Sequence, residues 1–508
     1  MTQVQSVDWV AISPVLAVVA AALAVLVVDL WLPRGSVVPQ VAIGAAGLVA
    51  ALGCIAVLWG EPRASFCLPS AGNALSACSY VANPVSLVFQ AVAVTGALVV
   101  LLLAVDEIRV DRMPAGEFVF LLLCSVSGAA TMAAGRDLAT LVIALEVVSL
   151  PGFALVGLRR GARASEAALT FFLVSVVSVA VMLFGVSLVY GATGSLFLPE
   201  IAAALADPGA PGSAAPSATA VGVLLTLVGF AFKVSAVPFH AWAPDTYVGA
   251  PVSVAAYLSV VSKAAGLVGL VLVVSQGFGP YADVWGPAVA VIAALTMTVG
   301  NVVALRQRQV VRLLAWSSIA QAGYLLVPLG VAAADPSEAV LGQALSATVA
   351  YVCIYAVINL GAFAVAAVVL RHRPSGRFAD FRGLARTEPG SAAMLAFFLL
   401  CLAGLPPGLA GLFAKVVVFQ AAVDGGLGWL AVVMAVNTVI ALAYYLAWIV
   451  QLYATPAPAG AEDQGPPSYR FPVATGTALA LLTAAALVLS VLPQLVLDLV
   501  PDVSAVLR

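Results

Sequence analysis

The segment Phe232-Lys-Val-Ser-Ala-Val-Pro-Phe-His-Ala-Trp-Ala-Pro-Asp-Thr-Tyr-Val-Gly-Ala-Pro251 places a lysine, a histidine and three prolines at the end of an apolar stretch that begins near residue 219. A lysine at mid-bilayer costs at least ~2.5–3.5 kcal/mol on insertion scales. A proline inside a helix removes a backbone donor and clashes with the preceding turn. Such a break at membrane depth is tolerated where protein or a hydrated cavity satisfies the freed carbonyls. The segment therefore reads as a broken membrane helix that carries its ionisable groups at the break. Lys233 lies about 20 Å along its stretch at ~1.5 Å per residue, too deep for easy snorkelling to the interface.

The rest of the chain supports a lipid solvent. Its 508 residues are 63% hydrophobic and 9% charged, with a mean hydropathy of +1.13, a balance that water-soluble domains of this size do not show. Runs such as Ala91 to Ala104 are apolar on all sides, which excludes the alternation of a membrane barrel. The expected fold is an all-α integral membrane protein. Apolar stretches long enough to span about 30 Å fall near residues 10–31, 38–59, 84–105, 115–134, 138–158, 166–190, 219–243, 252–275, 285–305, 310–330, 339–370, 391–421, 427–453 and 472–499, which makes fourteen transmembrane helices. The N-terminus has no basic n-region or cleavage site, so the first stretch is expected to be retained. The linkers Gly191 to Thr219 and Ala454 to Arg470 are Pro/Gly/Ala-rich connections too short to fold as domains.

Arginine sets the orientation. Numbering loops by the helix they follow, odd loops hold Arg34, Arg109, Arg112, Arg159, Arg160, Arg163, Arg306, Arg308, Arg312, Arg371, Arg373, Arg377, Arg382, Arg386 and Arg470. Even loops and the ends hold only Arg63, Arg136 and Arg508. The positive-inside rule then puts the odd loops in the cytoplasm and both termini outside. Cys54, Cys124, Cys353 and Cys401 lie in apolar helices and read as small packing residues. Cys67 and Cys78 share an outer loop, where an oxidising compartment permits a disulfide. No CxxC pair or His/Cys cluster is present, so bound zinc, haem or iron–sulfur is not expected in this chain.

All three lysines, Lys233, Lys263 and Lys415, fall inside apolar stretches, and of the carboxylates, which lie almost entirely in loops or at helix ends, Glu146 in Ile143-Ala-Leu-Glu-Val-Val-Ser-Leu-Pro-Gly-Phe stands inside one away from its ends. A Glu–Lys staple is the structural alternative, because losing either member of a buried pair costs about 3–5 kcal/mol. One carboxylate cannot neutralise three ammonium groups, however. Burial disfavours the charged form of lysine, so a lysine here is expected to be neutral part of the time, which makes it a proton carrier. His240, seven residues after Lys233, is a candidate relay between Lys233 and Lys263, while His372 sits in the arginine-rich loop as a solvated residue. Ser149, Ser235, Thr246, Tyr247 and Tyr257 are candidate water-positioning groups. A second break, Gly404-Leu-Pro-Pro-Gly-Leu-Ala-Gly-Leu-Phe-Ala-Lys415, precedes the third lysine. Two broken helices, seventh and twelfth, imply inverted five-helix repeats over helices 4–8 and 9–13. The expected division is 1–114 as a three-helix segment, 115–275 and 276–455 as the two repeats, and 456–508 as a C-terminal helix.

These segments resemble the antiporter-like family that includes the large proton-pumping subunits of respiratory complex I and of multisubunit sodium/proton antiporters, and the match covers most of the chain. The family pattern is carried by Glu146, Lys233, Lys263 and Lys415. Within the family the chain looks most like the N-type subunits of bacterial NADH-quinone oxidoreductase: M-type subunits usually carry glutamate where Lys415 stands, and L-type subunits extend into a long lateral helix. One departure is Thr170, where many N-type sequences have lysine.

The resemblance implies proton translocation in a bacterial cell membrane, coupled to electron transfer from NADH to quinone. It also implies M-type and small K-, J- and A-type subunits, with the bilayer, as partners. It implies no cofactor in this chain, with NADH, FMN, iron–sulfur clusters and quinone held elsewhere in the complex, and no nucleic acid. A sodium/proton antiporter subunit and a non-conducting scaffold are the other readings.

Overall fold

The computed structural model describes residues 7–33, 35–68, 77–207, 216–334, 338–373, 375–455 and 472–499. Arg34, Arg470 and Arg508 lie outside them. The first half holds α1 (Ser13–Asp29), α2 (Val38–Val57), a hairpin of β1 (Arg63–Cys67) and β2 (Cys78–Ala82), α3 (Pro84–Val110), α4 (Ala115–Ala134), α5 (Leu138–Gly157), α6 (Ala162–Thr193), α7 (Leu198–Ala206), α8 (Pro216–Lys233), α9 (Trp242–Gly249), α10 (Val252–Tyr257) and α11 (Lys263–Leu272). A π-turn, Leu258–Ser262, joins α10 to α11, and another, Val273–Gly277, follows, so residues 252–277 form one composite span. The second half holds α12 (Ala282–Ala304), α13 (Val310–Ala334), α14 (Glu338–His372), α15 (Leu384–Thr387), α16 (Pro389–Ala403), α17 (Leu409–Asp424), α18 (Gly428–Tyr453), α19 (Val473–Val491) and α20 (Gln494–Leu497).

Among the described residues, twelve helices are long and apolar enough to cross a membrane, against the fourteen expected. The first expected span coincides with the shorter apolar helix α1, and the twelfth, read as broken, is divided between the short helices α16 and α17. The structure adds detail to the sequence reading at four places. The second inter-helix loop forms a short antiparallel hairpin with Arg63 opposite Ala82, closed by the Cys67–Cys78 disulfide that the sequence permits, on a fold that is otherwise helical. The 191–219 linker contains α7, whose start is tied back when Leu198 N–H donates to Arg136 O. The expected seventh helix stops at Lys233, five residues before Pro238. The final stretch turns at Leu492-Pro493, because proline cannot continue the helix.

Helix boundaries follow local chemistry. Asn83 and Ser86 form a reciprocal capping box at α3, and Asp137 accepts from Thr140 N–H at 2.7 Å to start α5. Glu107, at the end of α3, accepts from the N–H groups of Val252 and Ser253 at 2.6 and 3.1 Å and so caps α10 across the bundle. α3 packs against α4, α10, α11, α14 and α19, and the 35-residue α14 runs through the second half against α13, α16 and α17. The outer faces stay apolar and exposed, with Ile143 and Leu150 on α5 and Val432, Val436 and Val439 on α18, as a lipid or subunit surface requires.

The arginine-rich loops share one end of the bundle. Arg159 pairs with Asp111 at 3.3 Å, Arg371 with Asp106 at 3.4 Å and Arg312 with Asp245 at 2.8 Å, linking loops far apart in sequence. At the other end Arg63 pairs with Asp8 at 3.2 Å. Burial opposes ionisation of Asp8, but bonds from Ala11 and Val10 N–H and from Arg63 outweigh it and hold the carboxyl below its ordinary range.

Candidate functional site

The first ionisable station lies where α8 ends. Lys233 is the last residue of that helix and is 1% exposed; its Nζ donates to Ser149 Oγ at 2.9 Å. Ser149 follows Glu146 by three residues, so both present to Lys233 from one face of α5. Glu146 is half-buried and interacts coulombically with Lys233. Among the described residues no ion pair within 4.0 Å joins them, and Glu146 Oε1 has no hydrogen-bond partner. Ser149, a neutral hydroxyl, is the direct contact. Lys233 Nζ also stands 5.8 Å from the centroid of Phe171, which stacks on Trp242 at 4.3 Å. Thr170, half-buried, precedes that ring.

The break supplies what a continuous helix could not. Trp242 Nε1 donates to Phe232 O at 3.1 Å and Val237 N–H donates to Thr296 Oγ1 at 2.9 Å, so backbone groups released by the prolines find partners in side chains. Ser235 takes a left-handed φ of 61° at the turn. Because α8 ends at Lys233, the histidine is not carried on that helix. His240 is half-buried, with Nδ1 3.3 Å from Pro238 O and its ring 5.4 Å from Trp316; no hydrogen bond joins it to either lysine among the described residues.

Lys263 opens α11 directly after the π-turn, 1% exposed, and its Nζ donates to Ser318 O at 2.6 Å. Tyr355 Oη, with one hydrogen to give, is hydrogen-bonded to Ser318 Oγ at 3.0 Å and to Ser259 O at 3.1 Å, and Asn359 Nδ2 donates to Ser259 Oγ at 2.8 Å. Gly266, one turn beyond Lys263, lies against the stem of Lys233 where a Cβ would collide, so the helix that Lys263 opens packs directly on Lys233.

Lys415, on α17 and 8% exposed, donates to Leu402 O at 3.0 Å and Ala403 O at 2.9 Å. Those carbonyls end α16, where helix acceptors have no intrahelical donor and carry partial negative charge. Nζ stands 5.5 Å from the Tyr324 centroid. Gly408 and Gly411 let α17 cross the backbone of Cys401, which a Cβ at either position would strike. Three lysines are thus buried on neutral oxygens, and no carboxylate lies within ion-pair distance of any of them among the described residues.

Residues 135–441 match the family model of the NADH:quinone oxidoreductase/Mrp antiporter transmembrane region. Over 97% of its length the chain is 55% identical to a Streptomyces griseus protein, NADH-quinone oxidoreductase subunit N 2, of which it covers 93%. The chain belongs to the NADH:quinone oxidoreductase/Mrp antiporter family. A Salinispora tropica NADH-quinone oxidoreductase subunit N is 46% identical over 90% of the chain and 88% of that protein, so the relationship lies with the subunit N branch. Among solved structures, a chain of respiratory complex I from Thermus thermophilus with bound aureothin superposes with a TM-score of 0.75 at 30% identity, covering 96% of this chain and 98% of that one. A chain of the Mrp complex from a Dietzia species gives 0.82 at 21% identity over 98% and 96%, a likeness of fold.

In this antiporter-like chain the sequence reading missed the polar groups between Lys263 and Lys415. α13 presents Ser317, Ser318, Gln321 and Tyr324, and α14 presents Tyr351, Tyr355 and Asn359, all buried. Tyr445 of α18 meets Ser317, and Tyr351 meets Gln321, through short hydrogen bonds. The signal was available as polar residues one and two turns apart along apolar helices. Single tyrosines in such helices read as packing, and only the facing helix shows otherwise. Of the suggested water-positioning groups, Ser149 touches Lys233 and Tyr257 Oη donates to Ser125 Oγ at 2.7 Å. The hydroxyls of Ser235, Thr246 and Tyr247 have no hydrogen-bond partner among the described residues, although Tyr247 lies beside Ser318.

Proposed function

We propose that the chain is the proton-translocating N-type membrane subunit of a bacterial NADH-quinone oxidoreductase, respiratory complex I. The observation that carries the reading is the set of buried lysines, each held by neutral oxygens rather than by a carboxylate. An ammonium group locked into a buried ion pair is a structural staple. One held by hydroxyls and carbonyls can lose its proton without leaving a bare carboxylate behind, so its charge state answers to its neighbours.

In this reading Glu146 biases Lys233, Lys233 exchanges protons with Lys263 with His240 and water at the break, and Lys415 is the far station. Moving Glu146 relative to Lys233, or neutralising it, releases the proton onward. The residues 115–275 and 276–455 act as inverted repeats, each contributing one broken helix. Electron transfer takes place in other subunits, which hold NADH, FMN, iron–sulfur clusters and quinone, and drives this chain through contacts with M-type and K-, J- and A-type neighbours. The end that gathers the odd-loop arginines faces the cytoplasm, which places both termini outside. The subunit N relatives at 55% and 46% identity support this assembly over a separate sodium/proton antiporter.

The test is NADH-driven proton pumping and quinone reduction in vesicles whose chromosomal copy carries Lys233→Ala, with exposed Arg306→Ala as control. Loss of both activities in the lysine variant alone, in an assembled complex, is the expected result. Unchanged activities would reduce Lys233 to a structural charge and favour the scaffold reading.

A further inference from the structure

Between Lys263 and Lys415 the polar side chains form two nearly joined groups. On the Lys263 side, the Ser318 carbonyl accepts from Lys263, the Ser318 hydroxyl is hydrogen-bonded to the Tyr355 hydroxyl, and the adjoining Ser317 meets Tyr445. On the Lys415 side, the ammonium sits on Leu402 O. Gln321 stands between them. Its Nε2 lies 3.5 Å from both Tyr445 Oη and Leu402 O, and its Oε1 accepts from Tyr351. Gln321 therefore touches both tyrosines and shares the Leu402 carbonyl with Lys415.

The chemistry of that one residue differs from its neighbours. A hydroxyl both donates and accepts, so a proton arriving at its oxygen is matched by one leaving, and the group is regenerated. A carboxamide divides the two roles: its oxygen only accepts and its nitrogen only donates. Passing a proton from Tyr351 to Tyr445 would add hydrogen to Oε1 and remove one from Nε2, leaving an imidic acid that must be reversed before the next transfer.

Beside the amide lies a cavity lined by Gln321, Tyr351, Tyr355, Leu402 and Lys415, with Ile358 and Ala414 among its apolar walls. It offers about 10 Å³ to the centre of a water molecule, close to the room one water needs, with several polar partners at hand.

We propose that Gln321 is a proton insulator between the two halves of the path, and that exchange between the Lys263 and Lys415 stations is confined to the one-water cavity beside it. In a transfer, Lys263 Nζ turns from the Ser318 carbonyl to the Ser318 hydroxyl and gives it a proton as that hydroxyl passes its own to Tyr355 and Tyr355 passes one to the water, leaving Lys263 as the amine; Lys415 begins as the amine. The water gives one to Lys415 Nζ, so no net charge stays on the relay. A single-water bridge passes protons only when both its partners are aligned, which keeps the loading and release sides from being joined continuously. Gln321 acts here as a positioning residue. The proposal rests on the lysine-relay reading above.

The test compares Gln321→Glu, Gln321→Ser and Gln321→Met in the assembled complex in vesicles, measuring protons pumped per NADH oxidised and the decay of an imposed pH gradient without NADH. A neutral carboxylic acid, or a serine hydroxyl with added water, restores a group that both donates and accepts. Methionine keeps the volume and stays insulating. The expected result is a fall of at least twofold in protons per NADH and faster gradient decay for the glutamate and serine variants, with quinone reduction retained, while the methionine variant keeps the parental ratio.

Parental ratios in whichever relay-restoring variant assembles, or an equal fall in the methionine variant, would overturn the insulator. Lys415→Ala is measured alongside. Normal pumping there would remove the underlying relay reading, whereas impaired pumping there with unchanged glutamate and serine variants removes the insulator alone.

Discussion

Ser149→Ala isolates the contact that Lys233 makes with α5. Ser149 is fully buried, and its hydroxyl accepts from Lys233 Nζ at 2.9 Å while donating to Leu145 O at 2.6 Å. The substitution removes one oxygen and leaves Glu146 and the helix in place. A hydrogen bond to a charged group contributes about 1.5–3 kcal/mol, and one pKa unit corresponds to about 1.36 kcal/mol. The ratio of ammonium to amine at Lys233 should therefore fall by roughly 10- to 100-fold at a given pH.

Because the lost bond favours the charged form, a lower pH is needed to restore the same occupancy. The pH profile of NADH-driven pumping is expected to move toward acid by about one to two units, with the amount of assembled complex unchanged. The assay is initial pumping rate in vesicles from pH 5.5 to 9, with native gels for assembly. A profile superimposed on that of the parent would refute the claim that Ser149 controls the charge on Lys233.

Other expectations follow from packing and caps. Glu107→Ala removes the cap that Val252 and Ser253 share, and should lower the thermal stability of the purified complex by an amount typical of caps, about 0.5–2 kcal/mol; an unchanged melting temperature would count against the cap. Gly411→Ala drives a methyl into the Cys401 carbonyl and should cost at least the ~1–3 kcal/mol of overpacking, read as reduced assembled complex, with Gly390→Ala, which meets nothing, as control. Cys67 and Cys78 should resist alkylation until a reductant is added, as measured by mass spectrometry without prior reduction; labelling of both in the untreated protein would rule the disulfide out.

The sequence by itself determined that this chain lives in a bilayer, because apolar runs of this length have no other solvent. It also determined which residues are out of place there, because a lysine inside an apolar run carries its cost wherever the helices pack. Glu146, Lys233, Lys263 and Lys415, with the two breaks beside Pro238 and Pro406-Pro407, were legible for that reason, and the pattern of those residues carried the family resemblance. Local rules also reached their limit at those breaks: proline marks where a helix fails, but not that α8 ends at Lys233 with His240 off its axis.

The tertiary structure decided who touches whom. The expected carboxylate partner of Lys233 gave way to Ser149 because residues three apart on α5 reach the ammonium together, and the shorter hydroxyl makes the contact. The partners of Lys263 and Lys415 are backbone oxygens of Ser318, Leu402 and Ala403, and a backbone carbonyl leaves no mark in sequence because every residue has one. The hairpin and α7 were hidden for a related reason: their short segments lie in loops and are anchored by long-range bonds, Arg136 N–H donating to Ser79 O of the hairpin and Leu198 N–H of α7 donating to Arg136 O. The polar groups around Gln321 come from α13, α14 and α18, more than a hundred residues apart at their extremes. Their contacts with one another arise only when those helices pack face to face.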